Sequence, residues 1–415
     1  MYRLKERNLK RGLVIMALLF TVILCPMGCG KADKAYEKAM KLAEEGKYQE
    51  ASESFQTAIE HNGDKAEYYI AYGMTLNHMG EYEKAIKQFE QAYQEVDNKI
   101  SRKNNKQLYY GEALAYYGLQ QFEEAIECCE LALDIKDESE INGNIYAAMA
   151  ASQWLSGNSE DALDSYNQLI KNNKKDIQGY LQRGRLYVNI EDTESALKDF
   201  TKAIQLDSKC YEAYFAMYDV YLSSGQEDAA QESLEKLLKL KAKSAEEKMQ
   251  LGRAYSLLGK EEEAVRYLED AVQGKCVEGN YYLGLLQMDK QDYQAALAYF
   301  EKYVQTASVL TIADVYNQLA GCLIESGDYE AAEKYLLEGL ELGMTDAYPA
   351  MLRNQVILLE KLQDFSAAKE AAEIYMQAFP QDTDMKKELE FIKTRIKNKK
   401  SDAETATGAG ASVNS

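Results

Sequence analysis

The stretch that decides the fold is short and occurs twice near the start of the chain. Residues 46–55 read GKYQEASESF, and residues 80–89 read GEYEKAIKQF. Both begin with glycine, place alanine sixth and end with phenylalanine, so two separate segments share one design. Self-similarity at a fixed period is the sequence signature of repeat architectures.

The same frame continues towards the end of the chain, and an alanine marks each copy. The ten anchor alanines are separated by 34, 40, 37, 34, 34, 34, 32, 36 and 36 residues. They are Ala51, Ala85, Ala125, Ala162, Ala196, Ala230, Ala264, Ala296, Ala332 and Ala368. A period near 34 residues indicates a helical repeat.

Three other columns support this register, because none of them was used to choose it. Twelve residues before the anchors, eight of ten positions hold glycine or alanine, and four residues after them nine of ten hold a larger side chain. The columns predict antiparallel helix pairs in which a small residue faces a large one. Five residues before the anchors, glycine occurs six times, as expected at a turn: Gly46, Gly80, Gly157, Gly225, Gly259 and Gly327.

This pattern resembles the tetratricopeptide repeat, a helix–turn–helix unit of 34 residues. The resemblance implies an all-α fold: an α-solenoid, wound as a right-handed superhelix, of about ten units with a C-terminal capping helix. We expect the array over residues 32–381, with units starting near residues 32, 66, 106, 143, 177, 211, 245, 277, 313 and 349.

Three segments depart from the regular repeat. Residues 100–105 form a six-residue insertion, which we expect to be an exposed loop. Residues 382–400 are predicted to be the capping helix, because Met385, Leu389, Ile392 and Ile396 fall on one helical stripe. Residues 401–415 are small and polar and are predicted to be a disordered tail.

Composition excludes most catalytic and nucleic-acid functions. Asp and Glu number 68 against 48 Lys and Arg, and the net charge of −20 opposes nucleic acid. Two histidines leave little material for metal sites or general bases. No phosphate loop, nucleophile elbow or dinucleotide fingerprint occurs. We therefore predict no enzyme, no cofactor and no metal, and keep a hydrolase or transferase only as a formal alternative.

The first thirty residues are typical of a targeting segment. A basic head precedes an apolar run from Leu13 to Leu24, which is too short to span a membrane. Gly28 and Cys29 then resemble the lipobox of bacterial lipoproteins, although Pro26 departs from that pattern. We predict a signal peptide over residues 1–28, lipidation of Cys29 and a linker over residues 29–31. An ordinary signal peptide or an uncleaved anchor remain the alternatives.

Seven cysteines occur, and two of them fall within the targeting segment. The other five form no CxxC pair, so we expect buried packing instead of metal or redox chemistry.

The resemblance also predicts where a partner binds, because first-helix residues line the groove of tetratricopeptide arrays. The predicted positions are more apolar than a solvated face requires, and exposed apolar patches mark partner sites. The alternative is that several of them pack between repeats. They are Tyr36, Met40, Ile70, Met74, Tyr110, Leu114, Tyr117, Trp154, Arg185, Val188, Phe215, Asp219, Leu222, Arg253, Tyr281, Leu285 and Met288.

These observations predict a non-catalytic scaffold that binds proteins or peptides. We expect a lipoprotein on the extracytoplasmic face of a bacterial membrane, presenting its groove to cell-envelope partners. The alternative is an assembly or capture factor for secreted or cell-wall components.

Overall fold

The structure is a computed structural model of the chain. It describes residues 30–94, 98–305, 309–342 and 347–409, and within these ranges it contains 21 α-helices and no strand. The predicted signal peptide, Cys29 and residues 410–415 lie outside the described residues. The predicted all-α fold is confirmed.

Among the described residues, one compact unit runs to Gly225 and a second begins at Gln226. The division falls between the two helices of the sixth predicted repeat. We call odd-numbered helices first helices and even-numbered helices, up to α20, second helices. The first unit contains Lys31–Glu44 (α1), Tyr48–His61 (α2), Ala66–His78 (α3), Tyr82–Ala92 (α4), Lys99–Gly118 (α5), Phe122–Asp134 (α6), Asn142–Leu155 (α7), Ser159–Asn172 (α8), Ile177–Asn189 (α9), Thr193–Leu206 (α10) and Tyr211–Ser223 (α11).

The second unit repeats the helix-pair arrangement and ends in a long helix. It contains Glu227–Leu238 (α12), Ala245–Leu257 (α13), Glu261–Gln273 (α14), Glu278–Asp289 (α15), Tyr293–Val304 (α16), Val309–Ser326 (α17), Tyr329–Glu341 (α18), Tyr348–Lys361 (α19), Phe365–Ala378 (α20) and Thr383–Ala409 (α21).

The helix pairs close where the sequence predicts a small residue against a large one. All ten anchor alanines are buried. A Cβ atom built on Gly73 would lie 2.6 Å from the Phe89 ring, and one built on Gly184 would lie 2.6 Å from the Phe200 ring. Real Cβ atoms do not approach a ring so closely, so only glycine permits this spacing between the two helices. Each unit is therefore a stack of helix pairs, as expected of an α-solenoid.

The turns within the pairs share one backbone conformation. The six predicted turn glycines all have positive φ, and so do the residues at the other four turns: Gln120, Glu191, Gln291 and Gln363. A left-handed residue ends a helix and reverses the chain, and a residue other than glycine adopts it at a cost. The turn positions were therefore predicted correctly, including those that lack glycine.

The predicted loop at residues 100–105 is wrong, because these residues are helical. Asn98 caps α5: its side chain accepts the backbone N–H groups of Ile100 (2.9 Å) and Ser101 (3.0 Å). The Ser101 hydroxyl accepts the backbone N–H of Asn98 in return (2.9 Å). The insertion adds nearly two helical turns and carries its own capping box, so it lengthens α5 instead of interrupting it.

The predicted capping helix is present as α21. Met385 and Ile392 are buried against Ala372 and Tyr375 of α20. The carboxylate of Asp382 starts the helix, since its Oδ1 accepts the Met385 N–H (2.9 Å) and its Oδ2 accepts the Tyr375 hydroxyl (2.7 Å).

The capping helix is longer than the sequence predicts. It continues to Ala409, whereas we expected a disordered tail from residue 401. Residues 401–409 contain no proline, and alanine and glutamate among them favour helix, so nothing in the segment stops the helix at residue 400.

The five cysteines of the described residues are free and buried, which confirms the packing interpretation. Among the described helices, we find none with both the length and the apolar character needed to cross a bilayer.

Candidate functional site

The structure places half of the groove residues predicted in the first unit inside its core. The Tyr36 ring, for example, stacks on Tyr68 with 4.7 Å between ring centroids. These side chains pack between repeats, and a ligand cannot reach them without moving their neighbours. They are Tyr36, Ile70, Tyr110, Leu114 and Phe215.

The other half remains partly exposed: Met74, Tyr117, Trp154, Arg185 and Leu222. Three of these occupy equivalent positions of α5, α7 and α11, and Val188 holds that position in α9 with 37% of its surface exposed. We call Tyr117, Trp154, Val188 and Leu222 the groove row. Four successive first helices thus present an apolar side chain along one line, an arrangement that marks interaction surfaces.

In the second unit the predicted residues divide in the same way. Tyr281 is buried, whereas Arg253 and Leu285 are partly exposed. The Arg253 guanidinium lies 5.8 Å from the centre of the Tyr282 ring, a cation–π distance. This part of the predicted groove is therefore held by contacts within its own unit.

The first helices of the first unit share a position that holds a large buried side chain in five cases out of six: Tyr36, Ile70, Tyr110, Leu181 and Phe215. In α7 this position is Ala147, which remains partly exposed. One turn further, α7 again has a small residue, Ala151, and Trp154 follows on the same face. We call Ala147, Ala151 and Trp154 the α7 recess, because the volume filled elsewhere by a large side chain is not filled there.

Tyr166 of α8 lies beneath the α7 recess. Its ring is buried in a cluster with Ala150 of α7 and Leu186 of α9, and Ala147 and Trp154 pack against this cluster. Burial raises the pKa of the Tyr166 phenol, and Tyr117 raises it further, whereas Arg185 lowers it. Its hydroxyl is therefore close to two predicted groove residues.

Gln182 of α9 provides an unpaired polar atom at the same seam. The side chain is 6% exposed, and its Oε1 atom has no hydrogen-bond partner among the described residues. Equivalent residues elsewhere face the preceding first helix: the Gly111 carbonyl accepts the Asn77 side chain (2.8 Å), and Asn354 donates to Asn317 (2.8 Å). Leu186, one turn after Gln182, packs into the cluster beneath α7. Gln182 therefore faces α7 and its recess.

Charges at the groove edge are partly neutralised within the first unit. Lys65 forms an ion pair with Asp33 (2.5 Å), and the Tyr68 hydroxyl donates to the same carboxylate (2.6 Å). These contacts, that of Lys65 first, lower the pKa of Asp33. Arg185 forms an ion pair with Glu212. The acidic edge is therefore weaker than the net charge of the chain suggests.

Glu112 of α5 is the most perturbed carboxyl group of the first unit. Burial raises its pKa to about 7, and the neighbouring Glu90 raises it further, although the Cys128 thiol donates to it. Within the described residues no group of histidine, cysteine or acidic side chains has the arrangement of a metal site.

Sequence reasoning missed Ala147, Tyr166 and Gln182. Ala147 could have been found, because it is the one small residue in a column of large ones. Tyr166 also carried a signal, since its hydroxyl stands in a column that holds phenylalanine at Phe55, Phe89 and Phe200. Gln182 carried none, because the burial of a glutamine depends on how close the neighbouring helices come.

The helix pairs and the exposed groove row define an α-solenoid repeat protein. Two models of the tetratricopeptide repeat match the chain, and the matched stretches together cover more than half of it. One model matches residues 36–100 and 249–310, and the other matches residues 106–139, 177–210, 211–244 and 313–342. The chain therefore belongs to the tetratricopeptide repeat family.

Solved structures share the fold at low sequence identity. Yeast Tom70 is 16% identical, with 88% of each chain covered and a TM-score of 0.45. A tetratricopeptide repeat protein from Parabacteroides merdae is 16% identical, covering 61% of this chain and 99% of its own, with a TM-score of 0.44. YrrB, described as having an unusual peptide-binding site, is 22% identical over 52% of this chain and 97% of its own, with a TM-score of 0.37.

No curated protein matches the chain in sequence. Scaffolds of the tetratricopeptide repeat family typically bind proteins or peptides and are generally non-catalytic.

Proposed function

We propose that this chain is a non-catalytic scaffold that binds an extended segment of another protein along the groove of its first unit. The groove row carries this proposal. Tyr117, Trp154, Val188 and Leu222 are apolar and partly exposed at the same position of four successive helices. Burial of such a row in a complex removes apolar surface from water at about 25 cal/mol per Å².

A peptide fits this surface better than a folded globule does. The equivalent positions recur once per first helix, so the apolar contacts are spaced along a line. An extended chain presents side chains at regular intervals along such a line. Tyrosine and tryptophan are also the side chains that most often dominate binding energy.

We also propose that the scaffold is a lipoprotein at the extracytoplasmic face of a bacterial membrane, where it meets cell-envelope partners. The basic head, the short apolar run and Gly28–Cys29 support this location. Cys29 directly precedes the described residues, which begin at Gly30. A lipid on Cys29 anchors the chain through its buried methylene groups, and stable anchoring needs more than one acyl chain.

The binding role is tested by crosslinking in intact bacterial cells that produce the protein, followed by identification of the crosslinked partners. We expect Trp154→Ala combined with Tyr117→Ala to lose partners that the wild type captures. Leu131→Ala is the matched control, because Leu131 is also an exposed apolar residue (47%) but belongs to the second helix α6. Equal partner sets for the wild type and the double variant would contradict the groove as the binding site.

The anchor is tested separately by metabolic labelling with a fatty acid. We expect the label to be incorporated by the wild type and lost in Cys29→Ser. Cys322→Ser is the control, because Cys322 is buried in α17. Label retained in Cys29→Ser would rule out lipidation at that residue.

A further inference from the structure

The α7 recess combines a missing side chain with a missing hydrogen-bond donor. At the position of Ala147, the other five first helices of the first unit each bury a large side chain. The recess is lined by the methyl groups of Ala147 and Ala151 and by the indole of Trp154, with the Tyr166 ring beneath them. It therefore offers an apolar space of about the size of one large side chain.

The Gln182 Oε1 atom borders this space and lacks a partner among the described residues. A buried acceptor that loses its hydrogen bond with water costs stability. The matched position of α5 shows the satisfied arrangement, since there the Asn77 amide donates to the Gly111 carbonyl. The seam between α7 and α9 has no such donor, so an N–H group from outside the chain can supply it.

The charges at the recess select against an anionic ligand group. Arg185 is engaged by Glu212, and the chain as a whole carries a net charge of −20. The walls are apolar, so a neutral bulky side chain is favoured there. A hydrocarbon chain could fill the space but has no donor for Gln182.

We propose that the α7 recess is a specificity site for a bulky apolar side chain of an extended peptide, whose adjacent N–H donates to Gln182 Oε1. This inference rests on the proposed function and adds the class of residue that the groove selects. The contact joins two features of one seam, the absent side chain of α7 and the unpaired acceptor of α9.

The test starts with a phage-displayed library of random seven-residue peptides, selected on the full-length protein. Enriched peptides are synthesised with a fluorescein label, and their affinities are measured by fluorescence anisotropy. We expect the enriched sequences to share one bulky apolar residue. Trp154 is the only tryptophan of the chain, so a shift of its emission on addition of a tryptophan-free peptide reports occupancy of the recess.

Three variants examine the recess. Ala147→Leu fills it as the other first helices do, and we expect at least a tenfold loss of affinity. Gln182→Met keeps the size of the side chain and removes the acceptor, and we expect about a fivefold loss. Met74→Leu, on α3 of the same groove face, is the matched control and should bind within twofold of the wild type. Melting temperatures establish that each variant is folded, and Gln182→Met keeps the test valid if Ala147→Leu does not fold.

The outcomes separate this inference from the proposed function. Peptides that bind the wild type, Ala147→Leu and Gln182→Met equally, but lose affinity for the groove variant Leu222→Asp, would overturn the recess and leave groove binding intact. A library that yields no enriched peptide, or peptides that bind Leu222→Asp as they bind the wild type, would overturn both.

Discussion

The seam between α3 and α5 differs from the seam between α7 and α9, although equivalent positions of the repeat build both. α3 and α5 approach closely, and Gly111 lies against Phe89 while its carbonyl accepts the Asn77 amide. α7 and α9 make fewer contacts, and the residue equivalent to Gly111 is Gln182, with a buried and unpaired oxygen. A single position thus decides whether the groove wall is sealed or open to a ligand.

The largest effect is expected at the sealed seam. A Cβ atom on Gly111 would lie 2.3 Å from Phe89 Cζ, so Gly111→Ala should lower the free energy of unfolding by about 3 kcal/mol through overpacking. Chemical denaturation measures this loss. Gly143→Ala in α7 is the matched control, because its Cβ meets Leu169 at an ordinary 3.6 Å. Equal stability of the Gly111 variant and the wild type would contradict the close approach of α3 and α5.

The second effect is pH-dependent and also belongs to α5. Burial raises the pKa of Glu112 from 4.5 to about 7, whereas Met149 occupies the equivalent position of α7. A carboxyl group with a raised pKa in the folded state makes the protein less stable as the pH increases from 4.5 to 7. Glu112→Gln should therefore exceed the wild type in stability by about 2 kcal/mol at pH 8 and by much less at pH 4.5.

Thermal or chemical unfolding at several pH values between 4.5 and 8 measures this difference. Glu123→Gln is the control, since Glu123 is an exposed carboxylate in the first turn of α6. A constant difference between Glu112→Gln and the wild type across this range would show that the carboxyl group is not perturbed.

A third, smaller effect concerns the turns that follow the first helices of the two seams. α5 is followed by Gln120 with φ +60°, and α7 by Gly157 with φ +91°. Gln120→Gly should stabilise the protein by about 0.5–1 kcal/mol, because it relieves a left-handed conformation that glutamine adopts at a cost. Gly157→Ala should act in the opposite direction by about 1 kcal/mol. Melting curves that show the same sign for both changes would contradict the shared turn geometry.

The smallest effect is expected at the open seam. Gln182→Met removes the unpaired oxygen without changing the size of the side chain, so it should leave stability unchanged or raise it by about 0.5 kcal/mol. Gln168→Met on the exposed face of α8 is the control. A clear loss of stability at Gln182 would mean that its oxygen already has a partner, and the distinction between the two seams would disappear.

The sequence predicted the helix pairs because their determinants are local and repeated. Gly73 against Phe89, and the left-handed turn at Gln120, follow from positions counted from a nearby alanine. The sequence did not predict the helical insertion at residues 100–105, because the cap at Asn98 works only in combination with the Ser101 hydroxyl.

The candidate site was less predictable for a different reason. Tyr110 and Tyr117 are both tyrosines of one first helix, yet Tyr110 is buried and Tyr117 is partly exposed. Which of them faces a ligand depends on how closely the neighbouring first helices approach. That distance is set by residues such as Gly111 and Gln182, which lie in other columns of the repeat.

The buried lysine of α5 has a consequence for chemical footprinting. The Lys106 side chain is fully buried, and its ammonium donates to the carbonyls of Ile135 (2.8 Å) and Asp137 (2.9 Å) and to the Asn142 side chain (2.7 Å). Burial also lowers the pKa of this amine. An acylating reagent can therefore modify Lys106 only after the segment from Ile135 to Asn142 detaches, and its rate of modification becomes a clock for local opening between α6 and α7.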